Sequence, residues 1–238
     1  MNLVVDYGNS SAKVGIFDQH TLIRKEVFAR KEDLLSFVQN FSGESFIISS
    51  VNVDSKPILS ISPIKKKFEL KPGLPLPIKN LYKTPDTLGA DRIAGVCGAH
   101  QRFPKTPCLV IDVGTCITYD FIDGDGNFLG GGISPGLSMR FQAMHSFTAR
   151  LPLVAPADNP ELIGNSTESC MQSGVIHGLL SELDGIIGRY QQKFEGLKVI
   201  LSGGDTGFFE NKLKASIFAG PELVLSGLNS ILLYNVNR

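Results

Sequence analysis

Apolar residues along the chain fall into short continuous runs and into stripes of period three to four. Residues 3–7 form an apolar run interrupted at Asp6, and residues 12–17 and 22–29 resume a strand pattern around a turn at 18–20. Residues 31–40 carry Leu34, Leu35 and Val38 at helical spacing. Residues 46–51 read as a buried strand. Prolines crowd 57–85, which predicts an irregular stretch with short strands. Residues 87–102 read as a helix with Ile93, Ala94, Val96, Cys97 and Ala99 on one side.

The opening pattern then returns. A strand ends in Asp112-x-Gly114-Thr115, a second strand spans 118–122, Asp-Gly-Asp-Gly-Asn makes a turn, and a third strand spans 128–133. The same strand–Asp-x-Gly–strand–turn–strand unit therefore occurs twice, which predicts two similar halves, 1–105 and 106–238. A helix over 166–194 follows, with Ile176, Leu179, Leu180, Leu183, Ile186 and Ile187 as its stripe. Asn165 is the expected cap, with Glu168 completing a capping box. A buried strand runs into Gly203-Gly204, and a helix over 223–234 closes the second half. The expected fold class is α/β, with mixed sheets flanked by helices in two tandem halves.

Composition narrows the functions. The 238 residues are 42% hydrophobic and 19% charged, which describes a globular chain. Lys+Arg and Asp+Glu are both 23, so no charge excess points to nucleic acid or an anionic membrane. Lys65-Lys66-Lys67 reads as a solvated face. No apolar run approaches the roughly 20 residues of a membrane span, and residues 1–6 lack the pattern of a signal peptide. Cys97, Cys108, Cys116 and Cys170 lie far apart without a C-x-x-C, which fits a reduced, cytoplasmic protein. His20, His100, His145 and His177 show no metal spacing.

The chemistry concentrates at the two Asp-x-Gly tips. Glycine lets a backbone approach a phosphate closely, Asn9 and Ser10 offer donors, and Lys13 adds charge if it points inward. Asp6 can hold magnesium through waters. One such tip is an ordinary turn as readily as a site. Two copies in matching halves point to a nucleotide in a cleft between them. No Walker-type loop and no dinucleotide fingerprint occurs. Gly130-Gly131-Gly132 reads as a close backbone approach or a plain turn. In Leu88-Gly89-Ala90-Asp91-Arg92, Asp91 sits at a helix start, where the dipole favours a carboxylate usable as a base. Arg92 could fork onto a substrate carboxylate. The plainer alternative is a helix-start acid beside a surface arginine. Thr167, in the first turn of the long helix, suits a cap or a substrate contact.

Together these segments resemble the type III pantothenate kinases, of the acetate and sugar kinase/Hsp70/actin superfamily. The match covers nearly the whole chain. Asp6–Lys13 (DYGNSSAK) resembles the first phosphate motif, Gly89–Arg92 (GADR) the substrate motif and Asp112–Thr118 (DVGTCIT) the second phosphate motif. GGGISPG, FTARLP, GNSTESCMQSG and LSGGD follow in the family's order. The resemblance implies two actin-like, ribonuclease H-like halves with an ATP cleft between them. It implies ATP binding by Asp6, Tyr7, Gly8, Asn9, Ser10, Ser11, Ala12, Lys13 and Thr115. Asp112 would hold a monovalent cation, K+ or NH4+, beside the Mg2+ that comes with ATP. Asp91 would accept the proton of the pantothenate hydroxyl, and Tyr82, Gly89, Ala90, Arg92 and Thr167 would line the pantothenate site. The family threonine aligns with Thr167, although Ser166 could take its place. A homodimer is implied, and Gly174, Gly178, Gly185 and Gly188 would permit close helix approach.

The expected activity is phosphorylation of pantothenate, the first step of coenzyme A biosynthesis. Neither nucleic acid nor membrane is an expected partner. Two rivals are another small-molecule kinase of the superfamily and a non-enzymatic regulatory relative. A single arginine in GADR favours an acidic substrate over a sugar. Zero net charge counts against direct DNA binding.

Overall fold

The structure, a computed structural model, describes residues 1–8, 11–50 and 54–238. Its contacts gather into two compact units: Met1–Lys105, Ile122–Leu129 and Glu222–Arg238 form the first, Thr106–Phe121 and Gly130–Pro221 the second.

In the first unit, β1 (Asn2–Tyr7), β2 (Ala12–Asp18) and β3 (Thr21–Phe28) form an antiparallel meander. Helix α1 (Lys31–Asn40) leads to β4 (Ser45–Ser50), and α2 (Lys56–Ile61) to β5 (Lys66–Glu69). β4 lies parallel to both β1 and β5, so the sheet order is β3-β2-β1-β4-β5. A two-residue strand β6 (Lys79–Asn80), a 3-10 turn at Pro85–Thr87 and α3 (Ala90–Arg102) complete this stretch.

The inner strands β1 and β4 are covered on both faces, which is why they read as continuous apolar runs. Leu3, Val5, Phe46 and Ile48 pack with Leu34, Val38 and Ile58 of α1 and α2. Val4, Phe17 and Ile47 point the other way, to Ala94 and Cys97 of α3. Strand alternation therefore puts Asp6 on the α3 face, two residues beyond Val4.

The second unit repeats the plan with β7 (Cys108–Val113), β8 (Cys116–Ile122) and β9 (Asn127–Pro135), then α4 (Leu137–Ser146), α5 (Thr167–Lys193), β10 (Lys198–Ser202), α6 (Thr206–Phe209) and β11 (Phe218–Ala219). The strand order β11-β10-β7-β8-β9 is the first sheet's order with each strand replaced by its counterpart. The expected pair of mixed α/β sheets flanked by helices is thus present. Leu109, Ile111, Val113, Val199 and Leu201 pack with Leu137 and Phe141 of α4 and with Ile176, Leu179, Leu183 and Ile187 of α5. The start of β9, up to Leu129, belongs to the first unit and pairs there with β6, Lys79 opposite Asn127 and Asn80 opposite Phe128.

The closing helix α7 (Leu223–Val236), expected to end the second half, packs on α3, β1 and β4 in the first unit. Glycines let the helices cross closely: a Cβ on Gly227 would stand 1.7 Å from the Ala94 carbonyl oxygen, and one on Gly98 2.5 Å from that of Leu223.

Several boundaries differ from the sequence reading. Helix α2 lies in the stretch expected to be irregular, with Pro57 in its first turn, where no N–H is needed. Helix α4 was not expected; only Leu137 and Phe141 of it are buried, too short a stripe to announce a helix. The cap of α5 is Ser166 rather than Asn165, and the capping box is closed by Ser169 rather than Glu168. The Ser169 hydroxyl reaches the Ser166 N–H at 2.9 Å, which sets the helix start one residue later. Gly130-Gly131-Gly132 lies inside β9, where a Cβ on Gly131 would stand 1.6 Å from the Tyr119 carbonyl oxygen.

Candidate active site

Asp6 lies one residue before the end of β1, with Lys13 opposite it on β2 and Ser49 opposite it on β4, so these three residues share one face. The Ser49 hydroxyl donates to Asp6 Oδ1 at 2.9 Å. Burial pushes the Asp6 carboxyl above its ordinary value; the Ser49 hydrogen bond and the Lys13 charge oppose this, and the nearby Asp91 charge adds to it. A cation and two carboxylates therefore converge under the start of α3. The turn closes with the Gly8 N–H donating to the Ser11 carbonyl oxygen at 3.1 Å. Tyr7 and Ala12 are paired across the strands. Asn9 and Ser10, expected as phosphate donors, lie outside the described residues, as does Val51 at the expected end of β4.

Gly89 caps α3, Ala90 opens it and Asp91 occupies its first turn, exposed to solvent. Asp91 Oδ1 accepts the Arg92 backbone N–H at 2.8 Å, so one oxygen satisfies the helix start. Gly89 makes room for this carboxylate: a Cβ there would stand 2.4 Å from Asp91 Oδ1. Arg92 is not the surface residue of the plainer reading. It is only 8% exposed, and its guanidinium carbon lies 5.5 Å from the centre of the Tyr82 ring.

Tyr82 comes to Arg92 through pairing that no local pattern announces. Its N–H donates to Asn80 Oδ1 at 3.0 Å, the Leu81 N–H donates to the Phe128 carbonyl oxygen at 3.0 Å, and β6 pairs with β9. The Tyr82 ring stacks on Phe128, centroids 6.1 Å apart and planes 11° apart. Phe128 is thus a wall of this site that sequence reasoning missed. Its only sequence signal is its position directly after the Asp-Gly-Asp-Gly-Asn turn.

In the second unit, Asp112 lies one residue before the end of β7, opposite Ser202 of β10. The tip after it is held by backbone. The Gly114 N–H donates to the Cys116 carbonyl oxygen and the Gly136 N–H to that of Thr115, both at 3.1 Å. A Cβ on Gly136 would stand 2.0 Å from the Gly114 carbonyl oxygen. Gly203, at φ +100°, presses on the other side, where a Cβ would meet the Val113 carbonyl oxygen at 2.3 Å. This packing explains why SPG and SGG accompany the tip. Thr115 itself is exposed. Asp205, after the glycine pair, has its carboxyl pushed up by burial.

Thr167 takes the first position of α5 and is exposed, whereas the Ser166 hydroxyl accepts the Ser169 N–H at 3.2 Å as the cap. All four cysteines are unpaired thiols. Among the described residues no cluster of His, Cys, Asp or Glu is placed to hold a metal ion, and no helix is long and apolar enough to cross a membrane. Asp112 offers a single hard carboxylate on a backbone-lined tip, a donor set suited to a cation completed by substrate or backbone oxygens.

The family model of type III pantothenate kinases matches residues 2–189. Proteins named type III pantothenate kinase from Christiangramia forsetii and Phocaeicola vulgatus are 44% and 45% identical to the chain, each alignment covering 99% of both sequences. The corresponding protein of Bacteroides fragilis is 43% identical over the full length of both. Among solved structures, a Campylobacter jejuni protein assigned to the Baf family of transcriptional activators superposes with a TM-score of 0.66 at 23% identity, over 99% of this chain and 100% of that one. A Listeria monocytogenes protein described as an N-acetylmannosamine kinase superposes with a TM-score of 0.56 at 15% identity, over 99% of both. These two likenesses show the fold alone, and it is the actin-like fold of sugar kinases. The sequence matches show the family: this chain belongs to the type III pantothenate kinases.

Proposed function

We propose that this protein transfers the γ-phosphoryl group of ATP to the primary hydroxyl of pantothenate, with Asp91 as the base. The observation that carries this reading is the convergence of Asp6, Lys13 and Asp91 beside the buried Arg92 and its half-buried partner Tyr82. Phosphoryl transfer passes through a loose transition state, so the protein mainly positions groups and stabilises charge. The pantothenate oxygen bonds to the γ-phosphorus, the bond to the bridging oxygen breaks, ADP departs and the hydroxyl proton passes to Asp91. The helix start holds Asp91 through one oxygen, leaving the other for the hydroxyl. Arg92 faces the substrate carboxylate, its guanidinium lying over the Tyr82 ring, which stacks in turn on Phe128. Gly89, Ala90 and Thr167 complete the pantothenate site.

Residues 6–13 and Thr115 bind the ATP phosphates in this reading. Mg2+ arrives with ATP, and Asp112 holds K+ or NH4+. These cations offset charge on the phosphates. The protein acts in the cytoplasm as a homodimer. Exposed Ile133 (64%), Phe147 (88%) and Ile163 (85%) on the second unit support an association surface.

The alternative of a regulatory relative draws no support from the Campylobacter likeness, which concerns fold. Retention of Asp6, Asp91 and Asp112 favours the enzyme. ADP release by purified protein with ATP, Mg2+ and pantothenate tests the reading, with potassium exchanged for sodium. Pantothenate-dependent turnover that collapses in sodium supports both the reaction and the cation at Asp112. Turnover with a sugar but not with pantothenate would overturn the substrate assignment.

A further inference from the structure

Behind the second tip lies a partly buried polar cluster whose Tyr119, Arg140 and Glu182 stand outside the motifs. Glu182, in the middle of α5, accepts the Tyr119 hydroxyl at 2.8 Å and a guanidinium nitrogen of Arg140 from α4. Arg140 also donates through Nη2 to the Ser134 hydroxyl at 3.0 Å and through Nε to the Pro135 carbonyl oxygen at 2.9 Å. The Arg140 and Glu182 side chains are 22% and 26% exposed. Burial alone would raise the Glu182 carboxyl; the hydrogen bonds from Arg140, Ser134 and Tyr119 outweigh it and hold the carboxyl below its usual range. A part-buried ion pair adds little stability over an apolar pair of the same size, so its placement asks for another account.

That placement is the turn carrying the phosphate tip. Ser134 and Pro135, the two residues Arg140 grips, immediately precede Gly136. Gly136 hydrogen-bonds to Thr115 and leaves no space for a Cβ against Gly114. Close-packed contacts of this kind transmit displacement rather than absorb it. The fork of Arg140 fixes two points of the turn at once, which a lysine cannot do.

We propose that Arg140 and Glu182 are positioning residues for ATP, clamping the 134–136 turn so that Thr115 is presented in register. The proposal rests on the reading of Thr115 as an ATP ligand. Arg140→Lys and Glu182→Gln are the test variants, the second keeping the shape of the side chain. Both raise the KM for ATP roughly tenfold and leave the KM for pantothenate within about twofold, because a small misplacement of a binding group is costly only for the ligand it touches. In a Thr115→Ala background, Arg140→Lys adds nothing further to the ATP KM. Amide hydrogen exchange at Gly136 and Gly114 speeds up in both variants, a readout independent of any substrate. Equal losses for both substrates, additivity with Thr115→Ala, or unchanged exchange would each overturn the proposal. Faster exchange with an unchanged ATP KM overturns it too, and traces the failure to the reading of Thr115 rather than to the clamp.

Discussion

The two Asp-x-Gly tips share a backbone plan and differ in what surrounds them. Each aspartate lies opposite a buried serine on the neighbouring parallel strand, Asp6 opposite Ser49 and Asp112 opposite Ser202. The first tip is chemically equipped. Lys13 lies across from Asp6, Asp91 stands near it, and the helix-start carboxylate has one oxygen committed to the backbone. The second tip is mechanically supported: Gly136 and Gly203 press against its backbone, and Arg140 holds the turn behind it. Under the proposed function, the first unit carries the proton transfer, and the second presents backbone, the Thr115 hydroxyl and the Asp112 carboxylate.

Removing the charge at the first tip has the largest effect. Asp6→Asn lowers turnover by roughly 10²-fold or more, as loss of a preorganised charge at a phosphoryl site does. The same variant is more stable than the parent at neutral pH. The folded carboxyl of Asp6 titrates above its ordinary value of 3.8, so the stability linked to its protonated form is complete below 3.8 and lost as pH rises through the folded value. Thermal unfolding across pH then shows the gain of Asp6→Asn at pH 7 fading toward acid. A variant that is destabilised at neutral pH would contradict the burial of this charge.

The second tip breaks through packing instead. Gly203→Ala places a Cβ 2.3 Å from a backbone oxygen at φ +100°, and costs about 1–3 kcal/mol in denaturant unfolding. Gly204→Ala, next to it, has nothing within 4 Å and stays within about 0.5 kcal/mol of the parent. Equal effects at the two positions would remove the distinction between the tips. An effect of opposite sign is expected on α5. A Cβ at Gly185 meets nothing within 4 Å, so Gly185→Ala stabilises an isolated chain by about 0.8–1 kcal/mol through helix propensity. A loss of stability that grows with protein concentration would place this helix face in a dimer interface.

Much of this was legible in the chain. Both strand–turn–strand units and helix α1 stand where the apolar pattern puts them, because short apolar runs bounded by Gly, Asp and Asn leave little choice. Asp91 at a helix start was legible for the same local reason. What was not legible depends on distant pairing. Tyr82 reaches Arg92 only because β6 pairs with β9, and Phe128 becomes a wall of the site by the same contact. The burial of Arg92 under Tyr82, the Arg140–Glu182 clamp and the docking of α7 on α3 all join residues far apart in sequence. The Ser166 cap was missed by one residue because Ser169 competes as well as Glu168 for the reciprocal hydrogen bond.

The most direct test of the account is Asp91→Asn, measured for pantothenate-dependent ADP release and for ATP binding on the same preparation. The account predicts that turnover falls roughly 10²–10⁴-fold, the usual loss on removing a general base, while ATP affinity is unchanged. A variant that keeps half of the parent's turnover would contradict the role of Asp91 and with it the proposed chemistry of the first tip.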